Sequence, residues 1–125
     1  MNAISALIQK AHAAGVAAGH AANPRPMIVG SPSTPFGTDV DPNQRTYFVA
    51  DGVCGFAWVH LPVARGPLVA ELKRLGAGHK NYRRGYDVWV RGFGQSMQRK
   101  EAYARAYAGV LNEAGHDAYA DSRMD

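Results

Sequence analysis

The chain has 125 residues, with fourteen Lys and Arg against ten Asp and Glu, a formal charge of +4 and a pI near 9.5. Its single cysteine, Cys54, excludes a disulfide scaffold and a cysteine-rich zinc module, and a hydrophobic content of 46% excludes a disordered chain. No apolar run approaches the roughly 20 residues of a membrane span, and the length is that of one domain able to bury its own core.

Residues 3–22 read as a helix. Asn2 stands at the capping position, and Ile4, Leu7, Ile8 and Ala11 recur at helical spacing. Ala11, Gly15, Gly19 and Ala22 form a face of small residues further along. Interior glycines cost about 1 kcal/mol each against alanine, so this face is expected to admit a close neighbour, either the chain's own sheet or a second copy. His12 and His20 lie about 12 Å apart along the axis, too far to share a metal. Residues 23–45 hold five of the seven prolines and read as an ordered arm, with Met27–Val29 as a short edge strand and Phe36 as a further apolar group.

From residue 46 the period changes to that of strands. Thr46–Ala50 and Val53–Leu61 flank Asp51-Gly52, a strong hairpin signal. In the second strand Cys54, Phe56, Trp58 and His60 share one face, and Val53, Gly55, Ala57 and Val59 the other. Such a strand is expected to be covered on both sides, with Cys54 buried. Pro67 opens a helix whose stripe is Leu68, Val69, Leu72 and Leu75, and Gly76 ends it. Residues 85–91 alternate as a third strand, with Tyr86, Val88 and Val90 on one face. Ser96 caps a long helix striped by Tyr103, Tyr107, Val110 and Leu111 and stopped by Gly115; Asp117–Ala120 makes a last strand. The sum is one α+β domain over residues 1–125: helix 1–22, proline-rich arm 23–45, and a β-β-α-β-α-β core 46–125 with a mixed sheet.

The charge is unevenly spread. Residues 65–105 carry ten basic and three acidic side chains, or +7, against four basic and seven acidic elsewhere, or −3. The least expected cations are Arg99 and Lys100, in the first turn of the helix that Ser96 opens, where acids are normally favoured. Gly92, Gly94 and Gln95 precede that start, which makes it a candidate anion site, although the glycines match neither a Walker loop nor a dinucleotide fingerprint. His79-Lys80-Asn81-Tyr82-Arg83-Arg84-Gly85 is a second candidate, because interleaved cations and a ring suit phosphate and base together. Arg123 can contact a phosphate or pair with Asp121 or Asp125. Catalysis is not expected: Cys54 and His60 lack a recognisable partner, Asp51 and Asp87 do not read as an acid–base pair, and the five histidines lack metal-ligand spacing.

Asp51-Gly52-Val53-Cys54-Gly55-Phe56-Ala57-Trp58-Val59, then Gln95-Ser96-Met97 with Arg99-Lys100-Glu101-Ala102, then Ala118-Tyr119-Ala120 with Ser122-Arg123-Met124-Asp125, resembles a group of small bacteriophage and metagenomic proteins of uncharacterised function. The resemblance implies a phage or prophage origin and the host cytoplasm as workplace. It is compatible with an accessory role such as countering host defence. The expected function is non-enzymatic binding of a phosphate-bearing, nucleotide-like small ligand, with no cofactor, metal or membrane. The expected site joins Gly94, Gln95, Ser96, Arg99, Lys100 and Arg123, with Trp58, Tyr82 and Arg83 supplying stacking and charge. The alternatives are a nucleic-acid module using Lys73, Arg74 and Lys80–Arg84 as a phosphate track, and a homo-oligomer formed through the Ala/Gly face of residues 11–22.

Overall fold

A computed structural model describes residues 2–30, 46–49 and 51–125, with 27–30 and 46–49 described by backbone alone. Helix α1 (Ala3–Ala21) leads to strands β1 (Met27–Gly30) and β2 (Thr46–Val49). Strand β3 (Gly55–Leu61), helix α2 (Pro67–Arg74), strands β4 (His79–Lys80) and β5 (Tyr86–Trp89), helix α3 (Met97–Glu113) and strand β6 (Tyr119–Met124) complete the order. The domain is α+β, as its pattern indicates. The rest of the expected arm, with Phe36, lies outside the described residues. No helix is long and apolar enough to cross a membrane among the described residues.

Four strands form one sheet in the order β4-β5-β3-β6, and every pairing is antiparallel, so the expected mixed sheet is corrected. Helix lengths explain the pattern. The eight residues of α2 span only about 12 Å, too short to carry the chain back along β3, which runs for about 23 Å. The chain therefore re-enters at the end it left: two-residue β4 lies level with His60 and Leu61, and the turn over 81–85 reverses the chain into β5, antiparallel to both β4 and β3. The 17-residue α3 is about 25 Å long and makes the full crossover. That places β6 on the far side of β3, running in the same direction as β5.

The expected hairpin at Asp51-Gly52 is also corrected. Strand β2 pairs with β1, Met27 opposite Val49, and not with β3. A tight primed turn needs positive φ at both central residues. Gly52 has φ +74°, but Asp51 is not in that region. The segment after the turn is instead held by residues 95–97: Gly55 N–H donates to the Gln95 carbonyl, Met97 N–H to the Val53 carbonyl, and Cys54 bridges to Ser96. Strand β6 runs past the expected Ala120 to Met124, because residues 119–124 find partners along the whole of Gly55–His60.

The helices cover one face of the sheet. Ala57, Val59 and Leu61 of β3 and Val88 of β5 pack there with Leu68 and Leu72 of α2 and with Tyr103, Tyr107 and Leu111 of α3. Helix α1 lies against α3 through Ile8, Ala11, Gly15 and Gly19. An ideal Cβ on Gly15 would come within 2.6 Å of the Tyr103 ring, and one on Gly19 within 2.2 Å of the Phe93 ring. The close neighbours of Gly15 and Gly19 are thus this chain's own aromatic rings. Asn2 caps α1 by accepting from Ser5 N–H at 2.7 Å.

A carboxylate locks α1 to α2. The Ser5 hydroxyl donates to Glu71 at 2.9 Å, and the Arg74 guanidinium donates to the same carboxylate oxygen. Arg74 and Ser5 together hold the Glu71 carboxyl below its ordinary range. A depressed carboxyl contributes stability above its unfolded pKa and loses it as pH falls through its folded pKa. Glu71→Gln is therefore expected to be less stable than wild type near neutrality and to lose less stability on acidification. Urea unfolding between about pH 7 and about pH 3 measures this; parallel pH profiles for the two proteins would refute it.

Candidate functional site

The start of α3 is built as expected but is already occupied by the fold. Ser96, 1% exposed, accepts from Arg99 N–H at 3.3 Å as the helix cap and donates its hydroxyl proton to the Asp51 carbonyl at 3.0 Å. Arg99 reaches Asp51 Oδ1 at 3.3 Å and donates to the carbonyls of Gly19 at 2.9 Å and His20 at 3.2 Å. Those are last-turn carbonyls of α1, and a cation there suits the negative end of the helix. Lys100, 6% exposed, donates from Nζ to the Gly55 carbonyl at 3.1 Å. The two cations that looked misplaced in sequence therefore tie α1, β3 and α3 together. Gly94, at φ +56°, and Gln95 shape the turn before the cap.

The other expected residues gather elsewhere, on the sheet face opposite the helices. Along β3 the buried residues Gly55, Ala57, Val59 and Leu61 alternate with half-buried Phe56, Trp58 and His60. Register extends this second row across the sheet. Trp58 faces Trp89 and Asp121, His60 faces Asp87 and Tyr119, Phe56 faces Arg123, and His79 faces Asp87. Among the described residues the strand is covered on one side, not both, and Cys54 is exposed rather than buried.

Aromatic rings dominate the open face. Trp58 and Trp89 stack with centroids 4.6 Å apart and planes 17° from parallel, and His79 continues the stack 6.2 Å beyond Trp89. Phe56 tilts against Trp89 at 5.8 Å, with the Arg123 guanidinium 5.7 Å and Lys100 Nζ 5.4 Å from its ring centre. A cleft of about 310 Å³ lies over this surface, lined by Trp58, His79, Lys80, Tyr82, Trp89 and Arg123 among others. Tyr82 does not fold back on the sheet: it is 87% exposed, with the Arg83 guanidinium 5.4 Å from its ring.

The floor of the cleft is fixed by a carboxylate. Asp87, 4% exposed, takes His60 Nδ1 at 2.6 Å on one oxygen and Asn81 Nδ2 at 2.7 Å on the other. Asn81 Oδ1 in turn accepts from Arg83 N–H at 2.8 Å and Arg84 N–H at 3.3 Å, which sets the path of the basic loop. With Asp87 engaged, the cations keep their charge for a ligand. Among the described residues no carboxylate lies within ion-pair distance of Lys80, Arg83, Arg84 or Arg123. Trp89 Nε1 is a buried donor with no acceptor, a situation that typically costs 1–3 kcal/mol.

Of the expected site, Trp58, Tyr82, Arg83 and Arg123 come together, while Gly94, Gln95, Ser96 and Arg99 belong to the scaffold and Lys100 meets the face only through Phe56. The alternative basic track is divided as well, since Arg74 is committed to Glu71 on the helical side. His79, Lys80 and Asn81, from the second candidate segment, line the same cleft, while Phe56, Asp87 and Trp89 are the residues that sequence reasoning missed. No family model, curated protein or solved structure matches the chain.

Proposed function

We propose that the open sheet face binds a nucleotide, with the base on the Trp58–Trp89 pair and the phosphate beside Arg123 and Lys80. The supporting observation is the coincidence of an aromatic stack with cations that lack acidic partners among the described residues, on the sheet face opposite the helices. Base–aromatic stacking contributes about 1–3 kcal/mol per base and tolerates any base, because every base has a π face. Binding, not turnover, is what these groups supply. The same proposal puts the protein where nucleotides are met, consistent with the host cytoplasm and phage accessory role that the resemblance implies.

Tyr82 favours a second reading. Exposed beside Arg83 and beyond the tryptophan pair, it offers another stacking platform, as a short single strand crossing the face would use.

One experiment addresses both. The chain contains two tryptophans, and both lie in the proposed site, so their fluorescence reports on it directly. Titration with purine, pyrimidine and cyclic mononucleotides is expected to quench it saturably, with one ligand per chain. Quenching by oligo-dT or oligo-U alone, weakening steeply with salt, would replace the mononucleotide by a strand. No saturable quenching by any of these would overturn the proposal.

A further inference from the structure

An apolar cleft lies on the helical side, away from the tryptophan face. It is open to solvent on one side and offers about 330 Å³ between α1, the segment after β5 and α3, within the size range of small-molecule sites. His12, Val16 and His20 form one wall, four residues apart on α1, so they align along one face of that helix. Tyr103 and Phe93 supply aromatic surface, and Arg91 stands exposed at the rim.

Two features set this cavity apart from a packing gap. Phe93 is the one non-glycine residue with positive φ among the described residues, at +67°, and this backbone aims its ring at Gly19 and the edge of His20, 5.3 Å between centroids. Strained non-glycine backbone of this kind concentrates at functional sites. The side chains around the cavity also include a cation, Arg91, and two histidines, but no acid. The Tyr103 hydroxyl is 2.7 Å from His12 Nδ1. Burial pushes the Tyr103 phenol up to about 12, so it remains protonated at neutral pH. We assign it as the donor, which leaves the His12 proton on Nε2. Arg91 has no carboxylate within ion-pair distance among the described residues, and the cavity lining contains no acid.

We infer that this cavity is a second ligand site, for a small amphipathic carboxylate whose aromatic or branched aliphatic body packs on Val16, Phe93 and Tyr103 while its carboxylate meets Arg91 and a histidine. It is independent of the nucleotide face and shares no lining residue with that cleft.

Calorimetric titration with phenylacetate, indole-3-carboxylate and octanoate, each beside its neutral amide, tests the assignment. At least one carboxylate is expected to bind saturably and more tightly than its amide. Arg91→Gln, at an exposed position, should weaken the carboxylate about tenfold, as loss of a charge-assisted bond does, and leave the amide unchanged. Val16→Phe should abolish both by filling the space, with circular dichroism confirming the fold. Trp58→Ala should change none of these values. No saturable carboxylate binding, equal affinity for acid and amide, or indifference to Arg91→Gln would each overturn the inference.

Discussion

Gly19→Ala is expected to destabilise the protein by about 2 kcal/mol, although the same change in an exposed helix interior would stabilise it by about 1 kcal/mol. The sign reverses because of what lies opposite. A methyl group at this position would sit 2.2 Å from Phe93 Cζ and 2.5 Å from Cε1, well inside van der Waals contact. Phe93 could move only toward the adjoining cleft, giving up its contacts with His20 and Tyr103 from a backbone already at φ +67°. Moving α1 outward would stretch the Arg99 bonds to the Gly19 and His20 carbonyls.

The cause is checked by a double-mutant cycle. Phe93→Gly removes the ring and relieves the positive φ, which costs a non-glycine residue about 1–3 kcal/mol. In that background Gly19→Ala should become neutral or stabilising, its clash gone and its helix propensity remaining. Denaturant melts of the four proteins give the coupling energy. Equal destabilisation by Gly19→Ala in both backgrounds would sink the explanation. Gly19→Leu, which cannot be absorbed by small shifts, is expected to cost about 4 kcal/mol, near the limit of single substitutions.

The elements were legible where local chemistry decides them. Asn2 and Ser96 cap their helices, Pro67 opens α2 and Gly115 follows α3 because each acts on groups within a few residues. Strand pairing was less legible, because it depends on residues far apart in sequence. Asp51-Gly52 carries a hairpin signature, yet the pairing capacity beyond it is taken by residues 95–97. The length of α2 returns the chain to the end of β3, and the turn between β4 and β5 then sets β5 antiparallel, a reversal that depends on the short β4. Two-residue β4 has too few side chains to show any period.

The site was half legible for the same reason. Alternation places Trp58 opposite Val59, and Trp89 opposite Val88 and Val90, so both strands could have been seen to set a tryptophan on the face away from the core. What alternation does not contain is register, which brings Trp58 beside Trp89 and Phe56 beside Arg123. Arg99 and Lys100 misled because a cation in a first helical turn has two explanations. An anion can neutralise it, or carbonyls of a neighbouring helix end and strand can. The carbonyls of Gly19, His20 and Gly55 belong to distant segments, so only the fold distinguishes the two.

That distinction yields the largest expected effect on binding. Trp58→Ala should weaken nucleotide binding about ten- to a hundredfold, since a stacked base is worth about 1–3 kcal/mol and each 1.4 kcal/mol is about a factor of ten. Trp58→Phe keeps a ring on the same face and should retain most of the affinity. Arg123→Gln should weaken nucleotides but not nucleosides, because the lost contact is to phosphate, and it should reduce the salt dependence of binding. Arg99→Gln provides the decisive contrast. If α3's first turn held the ligand, this variant would lose nucleotide affinity. With Arg99 bonded to the end of α1, it should lower thermal stability and leave affinity unchanged. Calorimetry on the four variants, beside their melting curves, separates the two locations. A Trp58→Ala protein that binds like wild type, or an Arg99→Gln protein that folds normally yet no longer binds, would move the site off the open face.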